Sequence, residues 1–312
     1  MGVSADAPLD AVTGAFSYSG AAIARELLGR GRRVRTLTGH PDRAPAGSPI
    51  EVRPLAFDDE AALRATLSGV DTLYNTYWVR FAHGRTTFDS AVENSGRLFA
   101  AAAAAGVRRI VHVSITHADA NSRYPYFRGK ALVEQRLAGS GVGYAVARPA
   151  ILFCGDGVLI NNIAWLLRHL PVAAVGGDGR YRIRAIHVDD LATLCADLGA
   201  RDDDVTVDAV GPQAVAFRDL IDCVRRAVGS RALVLPVPGP VLPVLTGLVG
   251  LLVRDRLLTL DEYRAMADGM ADSDAPTTGR VVLTEWIAEH ADTLGRRYAN
   301  ELQRHFWPVS AG

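Results

Sequence analysis

Residues 9–20, Leu-Asp-Ala-Val-Thr-Gly-Ala-Phe-Ser-Tyr-Ser-Gly, decide the architecture of this 312-residue chain. An apolar run ends at Gly14, and apolar residues then recur at helical spacing from Ala21 to Leu28. This order predicts a buried strand, a tight turn and a helix. A glycine-rich turn in that position brings backbone amides to a helix N-terminus, where they can bind phosphate groups. The candidate ligands of a dinucleotide in this turn are Gly14, Phe16, Ser17, Tyr18 and Gly20.

The alternation of strand and helix continues through the first half of the chain. Strands are predicted at Val34–Leu37, Thr72–Asn75, Ile110–Ile115 and Tyr144–Ala147, and helices at Ala61–Leu67, Phe88–Ala105 and Tyr126–Leu137. Repeated strand–helix–strand units pair their strands in parallel and place helices on both faces. The sequence therefore predicts an α/β fold with a doubly wound parallel sheet.

The pattern of the sequence changes after Arg148-Pro149: the regular alternation of strands and helices ends, and glycines separate short elements. We interpret 1–150 as a dinucleotide-binding domain and 151–312 as a smaller, mostly helical substrate-binding lobe. Residues 186–228 are expected to return partly to the first domain, so that the two are interleaved. The stretch 232–253 carries no charge, but four prolines between positions 236 and 243 are incompatible with a membrane-spanning helix. We expect it to form a proline-led loop and a helix that cover the substrate cleft.

The composition narrows the class of partner. The 34 basic residues balance 34 acidic ones, so no basic stripe indicates a nucleic-acid-binding protein. The three cysteines are widely spaced in apolar contexts and show neither a disulfide framework nor metal-ligand spacing. The first residues lack the pattern of a secretory signal. We therefore expect a cytoplasmic protein without a metal or stable membrane insertion, acting on a small molecule; homo-oligomerisation stays open.

The end of the second predicted strand bears on the choice of cofactor. An acidic residue there would bind the ribose hydroxyls of NAD, but the chain reads Thr-Leu-Thr-Gly-His-Pro-Asp-Arg over 36–43. No carboxylate occupies the immediate strand end, because Asp42 lies past the turn. Basic residues that could surround a 2′-phosphate are Arg33, Arg35, His40 and Arg43. NADP(H) is therefore favoured, although NAD(H) also fits. Asp58 is a candidate for the adenine edge or, equally, for a helix cap.

Lysine occurs once in the whole chain, at position 130, four residues after Tyr126. Side chains four apart lie on one face of a helix, so the two can reach one ligand. A nearby ammonium lowers the pKa of a phenol, which is ordinarily near 10, and prepares it for proton transfer. Ser114, at the end of the preceding strand, could orient a substrate carbonyl. The sequence thus suggests Tyr126, Lys130 and Ser114 as catalytic residues, with Lys130 also binding the cofactor.

Other polar and aromatic residues follow strands at the same predicted edge of the sheet. Asn75 and Thr76 are candidates for cofactor binding, while Tyr77, His117 and Tyr124 are candidates for contacting substrate. Each has a structural alternative. Tyr124 and Tyr126 could both be packing aromatics, Ser114 could cap the strand end, and His117 could be a loop residue without chemistry.

Several of these segments, in this order, resemble the short-chain dehydrogenase/reductase superfamily, in particular its extended or atypical branch. They are 13–20, 74–81, Val111-His-Val-Ser114, Pro125-Tyr-Phe-Arg-Gly-Lys130, Arg148-Pro149 and His187-Val-Asp-Asp190. The chain resembles bacterial nucleoside-diphosphate-sugar epimerase-like proteins, which are related to nitrogen-repression sensors and a complex I accessory subunit. It departs from the family pattern at Ser17, which replaces a glycine, and at Gly39.

The resemblance implies a Rossmann domain, a nicotinamide cofactor, and Tyr126 and Lys130 at the family's Tyr-x-x-x-Lys positions. With the residues above it leads us to expect an NADP(H)-dependent oxidoreductase acting on a small or medium, hydrophobic carbonyl or alcohol. The same constellation is compatible with an epimerase, a dehydratase or a cyclase. A dinucleotide-binding sensor or assembly protein without catalysis is a further alternative.

Overall fold

The computed structural model describes residues 4, 6–80, 86–155, 157–253, 255 and 258–300. The chain divides into two compact units. The first comprises Met1–Pro149 and Val188–Ala209, and the second comprises Ala150–His187 and Val210–Gly312. The chain thus leaves the first unit after Pro149 and re-enters it for 22 residues.

The first unit alternates strands and helices. Its strands are β1 (Leu9–Thr13), β2 (Arg33–Thr38), β3 (Glu51–Pro54), β4 (Val70–Asn75), β5 (Arg109–Val113), β6 (Gly143–Pro149) and β11 (Val205–Ala209). Its helices are α1 (Tyr18–Gly29), α2 (Glu60–Thr66), α3 (Phe88–Ala104), α4 (Pro125–Ala138) and α6 (Val188–Gly199). Among the described residues these strands form one parallel sheet in the order β11-β6-β5-β4-β1-β2-β3. This confirms the predicted doubly wound fold.

The central strands are buried because helices cover them. All five residues of β1 and all five of β5 are buried. The alanine-rich helix α3 contributes Leu98 and Phe99 to a core that also contains Leu73 and Ile110. The small alanine side chains let α3 lie close to its neighbours, and burial of apolar surface of this kind is the main stabilising contribution to such a sheet.

The returning segment is fixed by a buried arginine. Arg109, at the start of β5, is 1 % exposed and donates to the carbonyls of Leu198 and Asp203 at 2.7 Å each. These carbonyls belong to the end of α6 and to the turn before β11. A buried guanidinium needs several acceptors, so the return is held by hydrogen bonds as well as by β11 pairing with β6.

The second unit contains more strand than expected. Its strands are β7 (Ile151–Phe153), β8 (Val172–Gly176), β9 (Arg182–Ile183), β10 (Ala185–His187), β12 (Val215–Ala216) and β13 (Leu233–Val237). Its helices are α5 (Val158–His169), α7 (Phe217–Ala227), α8 (Leu242–Val253), α9 (Leu260–Ala267) and α10 (Leu283–Glu289). The described strands pair as β10 with β7, β12 with β9 and β13 with β8.

Two boundaries differ from the expectation. Of the segment 186–228, residues 188–209 lie in the first unit, whereas the amphipathic helix α7 lies in the second and buries Phe217 and Leu220 there. The expected loop in the first half of 232–253 is the strand β13. Pro236 is accommodated because β13 belongs to a two-stranded sheet, where one side of each strand makes no ladder hydrogen bond.

Among the described residues, the large exposed apolar side chains lie on β8, on β13 and at the segment 241–245 that follows β13. They are Val172, Leu233, Leu235, Val241, Val244 and Leu245. Leu233 pairs directly with Val172 in the β13–β8 register. In the part of the chain that the structure describes, α8 and the other helices are too short or too polar to cross a bilayer.

The turn between β1 and α1 generates a test of the fold. Gly14 has a φ of +67°, and a Cβ on Gly20 would lie 2.2 Å from the carbonyl oxygen of Gly14. Gly20→Ala should therefore push α1 away from β1 and lower the free energy of unfolding by about 1–3 kcal/mol.

The matched control is Gly29→Ala at the other end of α1, where a Cβ would have no neighbour within 4 Å. It should leave stability unchanged or raise it slightly, because alanine favours a helix over glycine. Denaturant unfolding of both variants measures the difference. Equal stability of the two would show that α1 does not pack on Gly14 as described.

Candidate active site

The turn after β1 has the shape of a phosphate-binding loop. The Ser17 amide and hydroxyl both donate to the Gly14 carbonyl, at 2.8 and 2.6 Å. Ser17 is the N-cap residue of α1, and its side chain makes no capping bond to the helix. The first amides of α1 therefore have no acceptor from this cap, which is the arrangement that binds a pyrophosphate. Phe16 and Tyr18 flank the turn and are half-buried.

The ends of β1 and β4 are joined by hydrogen bonds beside this turn. The Thr13 hydroxyl accepts from the amides of Thr76 and Tyr77 at 2.7 and 3.1 Å and donates to Asn75 Oδ1 at 3.2 Å. The Thr76 hydroxyl donates to the Thr13 carbonyl at 2.6 Å. Asn75 is fully buried, so it supports this edge of the sheet through hydrogen bonds and not through contact with solvent. Thr76 is half-buried.

Two of the four basic residues expected around a 2′-phosphate are elsewhere. Arg33 begins β2, about 16 Å of strand from its carboxyl end. The Arg35 guanidinium donates to Glu51 at 2.9 Å and to the carbonyls of Thr66 and Ser68. The prediction was wrong for this pair, because a side chain on the body of β2 does not reach the strand end.

His40 and Arg43 do follow the carboxyl end of β2, at a short 3-10 turn spanning Pro41–Arg43. Asp58 is fully exposed and forms an ion pair with Arg97 at 3.2 Å. It does not cap α2, because the N-cap residue of that helix is Asp59. The capping alternative for Asp58 is therefore wrong.

Lys130 lies inside the first unit. The residue is 3 % exposed, and its ammonium donates to the Val113 carbonyl at 2.8 Å and lies 4.8 Å from the centre of the Trp78 ring. Burial lowers the pKa of Lys130 from its usual 10.5 to about 7, against an opposing effect of the Glu134 carboxylate, which raises it. Lys130 is therefore a cation that can lose its proton near neutral pH.

His112 lies under the same site, on β5, and is fully buried. Its Nδ1 is 3.1 Å from Asn75 Nδ2, while its Nε2 has no hydrogen-bond partner within the described structure. Burial, and secondarily the Lys130 charge, hold the pKa of His112 well below its ordinary value, so the ring is neutral. Of the two neighbouring side chains His112 and Lys130, only Lys130 can therefore carry a positive charge near neutral pH.

Tyr126 is part of an aromatic cluster on the first turn of α4. Its ring centre lies 5.8 Å from that of Trp78, 5.9 Å from Phe88 and 5.8 Å from Phe127. Trp78 thus contacts both Tyr126 and the Lys130 ammonium. The hydrogen bond and ring contact of Lys130 go to Val113 and Trp78, and not to the phenol of Tyr126.

Ser114 is connected to two residues that the sequence reasoning missed or left without a role. Its hydroxyl donates to Glu134 Oε1 at 2.5 Å, and the Arg148 guanidinium binds both carboxylate oxygens of Glu134. While this hydrogen bond is intact, the Ser114 hydroxyl cannot donate its proton to any other group. The spacing of Tyr126, Lys130 and Glu134, each four residues apart on one helix, was the signal that could have identified Glu134.

The predicted substrate-contacting residues are spread around this edge. Tyr77 packs on Phe57, with ring centres 4.7 Å apart, and its hydroxyl accepts from Asn94 at 3.1 Å. Tyr124 is buried as the N-cap residue of α4. His117 is exposed and has a φ of 55°. Tyr77 and Tyr124 pack within this unit and His117 lies on an exposed turn, so contact of these three residues with a substrate stays a prediction.

A family model and a curated relative both match this chain. Residues 14–163 match the family model described as NAD(P)H-binding. Over 300 residues, 91 % of this chain and 98 % of the relative, the sequence is 28 % identical to (4-alkanoyl-5-oxo-2,5-dihydrofuran-3-yl)methyl phosphate reductase of Streptomyces griseus.

Two solved structures share the fold. Triphenylmethane reductase from Citrobacter sp., in complex with NADP(H), aligns with a TM-score of 0.76 and 18 % identity over 91 % of this chain and 99 % of that one. The NADPH-dependent quinone oxidoreductase of Escherichia coli aligns with a TM-score of 0.73 and 22 % identity over 90 % and 98 %.

The fold, the turn after β1 and the family model over residues 14–163 together indicate an NAD(P)-binding enzyme with a Rossmann-like fold. The curated relative and both solved structures are named as reductases or oxidoreductases. Among the described residues no group of three or more metal-binding side chains comes together.

The burial of Lys130 predicts a specific pH dependence of stability. The pKa of Lys130 is about 7 in the folded protein and near 10.5 in the unfolded chain, so between these values the unfolded state binds the extra proton. Stability should therefore rise with pH over this window. Below pH 7 the buried ammonium costs about 5 kcal/mol relative to the neutral amine.

Lys130→Met removes this contribution. The variant should be more stable than the natural protein at pH 6.5, and the difference should shrink as the pH rises to 9.5. Guanidinium unfolding at four pH values measures it. Parallel stability curves for the two proteins would show that Lys130 titrates normally.

Proposed function

We propose that the protein is an NADP(H)-dependent oxidoreductase that acts on a small or medium, hydrophobic carbonyl or alcohol, with Tyr126 as proton donor and acceptor. One observation carries the proposal: the single lysine of the chain is buried on the same helix face as Tyr126, behind the Trp78 ring that both contact. A site that needed only a surface charge would not place the ammonium in the interior.

The cradle for the cofactor is supported by the close approach of Gly20 to Gly14 and by the amides of α1. NADPH bound there would supply the hydride. In the reducing direction the Tyr126 phenol donates its proton to the substrate oxygen, and the Lys130 ammonium stabilises the phenolate that remains. The rings of Trp78 and Phe88 exclude water from this pair, which strengthens the electrostatic effect.

Ser114 has a secondary place in this proposal. As long as its proton is shared with Glu134, its oxygen can only accept a hydrogen bond from a ligand. Orientation of a substrate carbonyl by Ser114 requires that bond to break. We therefore assign the proton transfer to Tyr126 and Lys130, with Ser114 orienting the carbonyl only once it has left Glu134.

The substrate class we favour is a conjugated carbonyl compound with a flat apolar body. The aromatic cluster around Tyr126 offers ring faces and edges to such a body. The relatives named above reduce a dihydrofuranone, a quinone and a dye. Their shared feature is a delocalised acceptor, and this supports the same class for the present protein.

The cofactor preference can be tested at the end of β2. We expect NADPH to bind more tightly than NADH, because no carboxylate stands at the immediate end of β2, where Gly39 and His40 follow Thr38, and Arg43 lies close behind. Arg43→Ala should weaken NADPH about tenfold and leave NADH unchanged, since a guanidinium contact to a phosphate contributes about 1.4 kcal/mol or more.

Arg33→Ala is the matched control, because Arg33 begins β2 and lies far from the strand end. It should alter neither affinity. Isothermal titration calorimetry with both dinucleotides gives the result, and tighter binding of NADH to the natural protein would reverse the assignment.

The chemistry is tested by Tyr126→Phe and Lys130→Arg with a panel of quinones, enones and aromatic aldehydes. Both should lose about 10²-fold or more in turnover, the first because the proton donor is absent and the second because a guanidinium is bulkier and cannot replace the amine. NADPH oxidation followed by absorbance is the measurement.

Tyr124→Phe serves as the control, since Tyr124 is a buried N-cap residue and should lose less than threefold. Retention of more than half the turnover by both site variants would demote Tyr126 and Lys130 to packing. NADPH binding without turnover of any compound would favour the sensor alternative.

A further inference from the structure

Glu134 is the centre of a hydrogen-bonded group at the buried side of α4. Its side chain is 12 % exposed. One carboxylate oxygen accepts from the Ser114 hydroxyl at 2.5 Å and from Arg148 Nε at 3.0 Å, and the other accepts from Arg148 Nη2. Ser114 follows β5 and Arg148 lies on β6, so two adjacent strands hold the carboxylate in place.

The charges around Lys130 come from few groups. On its own helix α4, Glu134 lies one turn further along and raises the pKa of Lys130 against the lowering effect of burial. On β5, His112 is neutral and Val113 supplies a carbonyl. Trp78, after β4, supplies the face of an aromatic ring. On β6, Arg148 is paired with Glu134.

Lys130 and Glu134 form no ion pair in the part of the chain that the structure describes, because the Lys130 ammonium donates to Val113 instead. The carboxylate therefore acts across the protein interior. Charges separated by such a medium interact more strongly than they would in water. A carboxylate locked in one position exerts a constant effect on the charge of its neighbour.

We propose that Glu134 is a positioning residue of this site: held by Ser114 and Arg148, its carboxylate favours the ammonium form of Lys130 against the opposing effect of burial. Glu134 does not react and does not touch the substrate in this scheme. It acts through Lys130, whose charge the Tyr126 phenolate requires. The inference rests on the proposed function for its consequence in turnover, whereas its effect on Lys130 can be measured without any substrate.

The composition of the chain makes that measurement direct. Because Lys130 is the single lysine, growth on [¹³C]lysine labels one side chain in the full-length protein. The ¹³Cε resonance then follows the protonation of Lys130 alone. A titration from pH 5 to pH 10 by two-dimensional NMR yields its midpoint, which we expect near pH 7 in the natural protein.

Glu134→Gln keeps the size of the side chain and removes its charge. The midpoint should fall by about one pH unit, because an opposite charge that favoured the ammonium has been lost. If the group is only a structural brace, its loss admits water to Lys130 and the midpoint instead rises toward 10.5. A rise, or an unchanged midpoint, would overturn the proposal.

Ser114→Ala is the matched control. It removes one hydrogen bond from Glu134 but leaves the carboxylate and Arg148 in place, so the midpoint should move by less than about 0.3 units. If Glu134→Gln fails to fold because Arg148 is left without its partner, the double variant Glu134→Gln/Arg148→Met removes that buried charge as well. Its midpoint should also lie below that of the natural protein, and a value at or above it would count against the proposal.

Turnover separates this inference from the proposed function. If Lys130 must be charged, the alkaline limb of the kcat/KM profile of Glu134→Gln moves down with the NMR midpoint, with a loss of about fivefold at pH 7 and about tenfold at pH 8. A shifted NMR midpoint with an unshifted kcat/KM profile would support the positioning by Glu134 and reject the role of Lys130 in catalysis.

Discussion

A buried ammonium, that of Lys130, constrains the arrangement of the whole edge of the sheet around it. The charge is shielded from water, so every neighbour has to provide something that stabilises a cation: a carbonyl from β5, an aromatic face after β4, and a carboxylate one turn along α4. Each of these comes from a different element. The relative positions of β4, β5 and α4 are therefore coupled to one charge. A substitution in any of these three elements should change the environment of Lys130 and, through it, the packing of the other two.

The order of the elements was predictable from the sequence because the period of apolar residues changes clearly from strand to helix. The run Leu9–Thr13 is buried on every side, as a central parallel strand requires, and the helix α1 that follows it has one apolar face. The lone Lys130 was also identifiable, because rarity is visible in the composition. Its burial was not, since burial depends on the packing of Trp78 against α4.

Other features depend on contacts between distant parts of the chain, and the sequence pattern contains no sign of them. Arg35 looks like a phosphate ligand in the sequence, but in the fold its guanidinium turns toward Glu51 and the end of α2. Glu134 looks like an ordinary helix residue until β6 brings Arg148 against it. The strand β13 was missed because prolines usually exclude strand, and only its pairing with β8 accommodates Pro236.

The same prolines have a consequence for the behaviour of the protein at high concentration. Leu233 and Leu235 are exposed on β13, and in the described part of the chain this strand pairs with β8 alone. An apolar strand with an open side is a template on which a second molecule could add its own strand and begin an aggregate. Pro236 has no amide hydrogen to donate, and Pro238 and Pro240 follow it at alternate positions. A strand that added to the open side of β13 would therefore find no continuous row of amide donors beyond Leu235. This absence of donors disfavours self-association through the exposed apolar strand.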